Sequence, residues 1–169
     1  MDSSAIAYDT ARWANFFSAE TSASAALTGL LFVAISINLQ QIVKNRLLTA
    51  RSLKALVTLT AILFTSSLCL VPGQRERALG AELAIVGLLF WISAIVLQHR
   101  SVHNNSFIGR PARIFHIVLA HASALPIILA ARSLLAGRGL GLYWLVAGML
   151  ICFISALLDA WVLLIEIQR

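Results

Sequence analysis

Residues 140–167 read LGLYWLVAGMLICFISALLDAWVLLIEI, a run whose only charged side chains are Asp159 and Glu166. An α-helix rises 1.5 Å per residue and a bilayer's hydrocarbon core is about 30 Å thick, so about 20 apolar residues are enough to cross it. A lone segment in lipid can satisfy its backbone N–H and C=O groups only as a helix. This stretch therefore predicts a transmembrane helix. Working outward from it, four more segments meet the same test: Phe17 to Val43, Ser52 to Val71, Ala78 to Gln98 and Ile114 to Leu135. Breakers separate them. Pro72-Gly73 ends the second, Asn104-Asn105 through Gly109-Arg110-Pro111 divides the third from the fourth, and Gly137-Arg138-Gly139 turns the chain into the fifth. The expectation is an all-α integral membrane protein, one domain over residues 1–169, built as a bundle of five transmembrane helices.

Composition agrees with that class. The chain is 60% hydrophobic and only 12% charged, with a mean hydropathy of +0.88, whereas about a quarter of the residues of a soluble domain are charged. A net charge of +6 would suggest nucleic acid for a soluble protein. Here Lys and Arg fall in the short gaps between apolar runs, which is how charge orients a membrane protein, so no nucleic-acid partner is expected. Cys69 and Cys152 sit inside apolar segments as small fillers, with no disulfide or zinc pattern. Asp2 and Asp9 stand where a secretory signal would carry Lys or Arg, so no cleavable signal peptide is expected.

Orientation follows from the cations. Lys44, Arg46, Arg51, Lys54, Arg100, Arg110, Arg113 and Arg169 lie on one side of the predicted membrane, and Arg12, Arg75, Arg77, Arg132 and Arg138 on the other. Eight against five places the first set in the cytoplasm, with the N-terminus outside and the C-terminus inside. Trp13, Phe16, Phe17, Tyr143 and Trp144 then fall at the outer interface, and Trp161 nearer the inner one. Residues Ala5 to Ser18 are expected to form a short interfacial helix before the first span.

Ionisable groups inside spans are costly and mark candidate sites. Glu20 and Glu82 both lie near the outer ends of parallel segments, where they either form an acidic vestibule for cations or sit at the headgroup level, paired with Arg75 or Arg77 or hydrated. Asp159 is deeper. Steps of three and four along its helix give Gly148, Cys152, Ser155, Asp159, Val162 and Glu166, a small and polar stripe that either packs on another helix or lines a wet cavity. The turn at Arg138 makes the last two helices antiparallel neighbours. His116 and His121, 22 and 17 positions before it, bracket Asp159, which is 21 after it. A His–Asp hydrogen bond is therefore expected, serving either as a proton relay or as helix glue worth on the order of 1 kcal/mol.

In the first span, Ser18, Ser22, Ala25, Gly29 and Ser36 form a small-residue face suited to close helix approach within the fold or between subunits. Asn38, near its inner end, is the polar group there that needs a partner. His99 and His103 share one helical face, but two ligands make no metal site, and neither metal nor cofactor is expected. Pro126 is expected to kink the fourth span.

The stretch Ala25-Ala26-Leu27-Thr28-Gly29-Leu30-Leu31-Phe32-Val33-Ala34-Ile35-Ser36-Ile37-Asn38-Leu39, with Trp13 and Phe16-Phe17 before it, resembles a group of small multi-pass bacterial membrane proteins of uncharacterised function. Leu70-Val71-Pro72-Gly73-Gln74 and Leu79-Gly80-Ala81-Glu82-Leu83 are similar to that group as well. Some of its members are automatically labelled modulators of an AAA membrane protease. The resemblance implies a bacterial inner (plasma) membrane and carries no catalytic residues.

Gly-x-Ser-x-Gly and His-Glu-x-x-His are absent from the sequence, and no Asp pair stands at helical spacing on facing spans, so an enzyme is not expected. Two functions remain. One is a homo-oligomeric channel or transport protein for protons or cations, whose path is drawn from Asp159, His121, His116, Glu166, Ser155, Glu20, Glu82 and Asn38. The other is an accessory subunit or modulator that binds another membrane protein through Ser22, Ala25, Gly29 and Ser36, with Gly148 serving packing on the last helix.

Overall fold

The computed structural model describes residues 10–103, 110–137 and 141–167, and every element among them is α-helix. These are α1 (Thr10–Ile37), α2 (Leu39–Lys44), α3 (Arg46–Cys69), α4 (Glu76–His103), α5 (Arg110–Leu135) and α6 (Gly141–Ile167). All but α2 are long and apolar enough to cross a membrane. Residues 5–9 of the expected interfacial helix, the breakers at 104–109 and the turn residues 138 and 139 lie outside the described residues. So do the side chains of His99, His103, His116 and Glu166.

Two boundaries differ from the expected spans, and both differences trace to asparagine. The first span does not run unbroken to Val43. The Asn38 side-chain amide donates to the Ala34 carbonyl at 2.9 Å while its backbone leaves the helix (φ −106°, ψ 19°). Its carbonyl then accepts from Gln41 N and Ile42 N at 3.0 Å each and starts α2. The partner expected for Asn38 is thus its own preceding turn. Asn45 opens the next helix six residues before Ser52, its Oδ1 accepting from Leu47 N at 3.0 Å as an N-cap. In Asn45→Ala this cap is lost, and stability in detergent is expected to fall by about 1 kcal/mol, measured by denaturant unfolding. At the other end the described part of α1 runs from Thr10, so Trp13 belongs to the same helix as the first apolar run.

Helices α3, α4, α5 and α6 close a four-membered ring in which each packs on the next and α6 returns to α3, while α1 lies outside against α3. Large side chains fill the ring: Leu59 and Ile62 from α3, Leu83 and Phe90 from α4, Ile127 and Leu134 from α5, and Leu145 and Met149 from α6. Glycines set the spacing. A Cβ on Gly80 would stand 3.0 Å from Leu135 N, one on Gly87 3.0 Å from Ile127 Cγ2, and one on Gly148 3.2 Å from Pro126 Cβ, so α4 and α6 both approach α5 at contact distance. The turns at Gly73 (φ +69°) and Gly137 (φ +65°) use backbone conformations that L side chains rarely adopt.

Trp13 clamps the outlying helix to the ring. Its ring meets Tyr143 of α6 edge-on at 5.0 Å and Phe16 at 6.0 Å, with Phe17 buried beneath. Helix α1 turns Phe17, Ser24 and Leu31 inward. The small-residue face expected to pack points the other way. Ser22, Ala25, Gly29 and Ser36 are exposed, and nothing lies within 4 Å of where a Gly29 Cβ would be. Within the fold, therefore, that face makes no close helix approach.

Candidate functional site

The α6 stripe turns into the ring. Gly148, Cys152, Ser155 and Asp159 are all buried, Asp159 to 3% exposure. Asp159 lies eight residues before Ile167, and Lys54 of antiparallel α3 lies eight after Arg46. At 1.5 Å per residue both are about 12 Å from the same ends of their helices. Lys54 Nζ stands 2.8 Å from Asp159 Oδ2, with the lysine side chain 15% exposed. This carboxylate oxygen has no well-directed hydrogen bond besides the ion pair. The Lys54 carbonyl accepts from Thr58 Oγ1 at 2.9 Å, which fixes the turn that carries the lysine.

A side chain of each sign is thus held inside an apolar ring with its charge balanced by the other. Removing two charges from water costs several kcal/mol per ion, and mutual attraction offsets this only in good geometry. Each charge keeps the other buried. An ammonium at 2.8 Å also occupies the place on Asp159 Oδ2 where a metal cation would bind.

His121 is not the partner of Asp159. Its Nδ1 accepts from Trp91 Nε1 of α4 at 3.0 Å, with ring centroids 6.1 Å apart at 76°. Hairpin geometry fixes depth and says nothing about which face of a helix a residue occupies. His121 lies 14 residues from Leu135 and Asp159 18 from Gly141, so their levels are close. But α5 presents Ser123 and Ile127 to α6, where Cys152 Sγ donates to the Ser123 carbonyl at 3.6 Å, and turns His121 toward α4. The side chain of His116 lies outside the described residues, as does that of Glu166.

Of the two readings for Glu20 and Glu82, the acidic vestibule is not assembled. Glu82 accepts a close hydrogen bond from Gln74 Nε2, whereas Glu20 is half-buried on the outlying α1 with Oε2 unpartnered. Helix α3 packs between the two helices that carry them. No group of three His, Cys, Asp or Glu able to hold a metal occurs among the described residues. The hydroxyls of Ser22 and Ser36 donate to the carbonyls of Ser18 and Phe32, four residues back on their own helix.

Sequence reasoning missed Lys54 and Trp91. Lys54 passed for a loop cation because hydropathy starts the second span at Ser52, which leaves the lysine in the first turn at the membrane edge. Asn45 followed by a helix-forming run was the available signal, since a helix begun at Arg46 carries Lys54 two turns inside. Without Lys54 the loop count on that side falls from eight to seven, still against five, which weakens the orientation bias. Comparison with protein-family profiles, curated proteins and solved structures finds no match to this chain.

Proposed function

We propose that this chain is a multi-pass membrane protein that transports protons, with Lys54 and Asp159 as its proton-carrying pair. The observation that carries this reading is a 2.8 Å ion pair about two turns inside the bundle, on a carboxylate 3% exposed. Ionisable residues at that depth are rare unless they serve a pathway. Apolar replacement of such a pair is often neutral or stabilising, so stability alone gives little reason to keep it.

Proton balance is simple. A proton arriving from one side converts the Asp159 carboxylate to the acid, and Lys54 then loses its counter-charge. Its ammonium releases a proton to the other side and becomes the amine. Transfer of the acid proton from Asp159 Oδ2 to Lys54 Nζ restores the pair, with one proton moved. Because Lys54 blocks Asp159 against metal cations, protons are favoured over the wider class of cations. Five helices enclose little polar space alone, so a homo-oligomer is part of this reading. The cation bias of the loops supports a cytoplasmic C-terminus, and the resemblance in the first span supports a bacterial inner membrane.

The test is proton flux in liposomes loaded with a pH-sensitive dye. The native chain is expected to dissipate an imposed proton gradient and leave sodium or potassium gradients standing. Flux of the native chain no faster than empty liposomes, or unchanged in Asp159→Asn, contradicts the reading.

A second reading rests on a different observation. The exposed face of Ser22, Ala25, Gly29 and Ser36 has its two hydroxyls already bonded, so another membrane protein's helix can approach with no polar group left unsatisfied. This is the accessory-subunit function, and it is favoured if the chain co-purifies with one stoichiometric partner.

A further inference from the structure

The contact between α4 and α5 is made in two unlike halves. Toward the Gly73 end of the bundle, Gly80 and Gly87 bring the backbones together, with Leu135 N and Ile127 Cγ2 each 3.0 Å from the positions of their absent Cβ atoms. Beyond Gly87, Ala94 of α4 and Ala120 of α5 are buried as well, and the hydrogen bond from Trp91 Nε1 to His121 Nδ1 ties the two helices together. Pro126 stands between the two halves. It has no N–H, so the Ala122 carbonyl lacks its helical donor, and helices bend at such positions. Pro126 itself is held by α6, its Cβ 3.2 Å from where a Gly148 Cβ would be. The hinge is anchored, and residues 110–121 form the arm beyond it.

The direction of the hydrogen bond fixes a protonation state. An indole N–H can only donate, so His121 Nδ1 must offer a lone pair, which makes the ring neutral with its proton on Nε2. A proton on Nδ1 would set N–H against N–H and turn an attraction into a repulsion. Helix α4 has no titratable side chain between Glu82 and His99, and α6 offers only Tyr143, Cys152, Asp159 and Glu166, of which Asp159 is taken by Lys54 of α3. On α5 itself the flanking titratable groups are His116 and Arg132, with Arg110 and Arg113 further out.

We infer that the Trp91–His121 hydrogen bond is a proton-operated latch: proton uptake at His121 Nδ1 frees the α5 arm to swing from α4 about Pro126, while the glycine-packed half stays closed. The latch operates whether or not protons cross the bundle. It is tested with spin labels on Ile95→Cys and Val118→Cys, exposed positions beyond the hinge on α4 and α5. The background is Cys69→Ala with Cys152→Ser, in lipid nanodiscs. Distances are read by double electron–electron resonance at about pH 8 and pH 5, the range over which histidine takes up a proton.

The native pair is expected to lengthen at the lower pH, and labels on Ile85→Cys and Leu129→Cys in the closed half to stay fixed. In His121→Gln the side-chain oxygen still accepts from Trp91 but does not titrate, so the separation is expected to stay short at both pH values. In Trp91→Phe the donor is gone and the response to pH is expected to vanish. A native Ile95–Val118 distance that is the same at both pH values, or a pH-driven change that survives in His121→Gln, overturns the inference.

Discussion

Asp159→Leu alone is expected to destabilise the protein by about 3 kcal/mol, because it strands the Lys54 ammonium inside the bundle. Lys54→Met alone is expected to cost a comparable amount, since it strands the carboxylate instead. The double variant Lys54→Met/Asp159→Leu is expected to regain most of the loss, because two apolar side chains of similar volume fill the space and no charge remains uncompensated. Unfolding of the four proteins in mixed detergent, with SDS as denaturant, closes the cycle. A coupling free energy of at least about 1 kcal/mol marks the two residues as one energetic unit. Strictly additive single effects would mean that the 2.8 Å contact carries no coupling.

The second large effect concerns the glycine seam. Gly80→Val places a branched side chain where Leu135 N already stands 3.0 Å from the Cβ position, and a backbone atom cannot turn aside as a side chain can. Helices α4 and α5 must separate, at a cost of about 2 kcal/mol in the same unfolding assay. Gly29 is the contrast. Nothing lies within 4 Å of its Cβ position, so Gly29→Val is expected to leave the monomer's stability within about 0.5 kcal/mol. Should Gly29→Val instead dissociate an assembly seen with the native chain, the exposed face of α1 is where that assembly forms.

Helix number and class were legible in the sequence because each span is a long apolar run, and lipid leaves such a run only one way to satisfy its backbone. The inward stripe of α6 was legible too, since Gly148, Cys152, Ser155 and Asp159 keep helical spacing on a background of Leu, Ile and Val. What the sequence withheld was the partner of that stripe. Depth can be counted from a turn, but the facing of two helices depends on how all of them pack. That placed His121 against Trp91 and left Asp159 to a lysine on a helix distant in sequence. Boundaries failed at Asn38 and Asn45 for a local reason, because one amide bonds back to its own helix and the other caps the next, and hydropathy registers neither. The Ser and Thr residues of α1 show the reverse case. Their spacing resembles a packing face, yet Thr21, Ser22, Ser24, Thr28 and Ser36 all bond the carbonyls of their own helix, and the side that packs is set by Phe17 and Leu31.

The double variant also separates structure from function at the pair. If Lys54 and Asp159 merely joined α3 to α6, Lys54→Met/Asp159→Leu would be folded and fully active, since apolar contact replaces the ion pair. If they carry protons, the same folded variant lacks the pair that accepts a proton on one side and releases it on the other. The deciding measurement is dissipation of an imposed proton gradient by liposomes containing this variant, with its fold checked by circular dichroism and unfolding. Flux reduced to that of empty liposomes is the expected result, and flux equal to that of the native chain would contradict a proton-carrying role for Lys54 and Asp159.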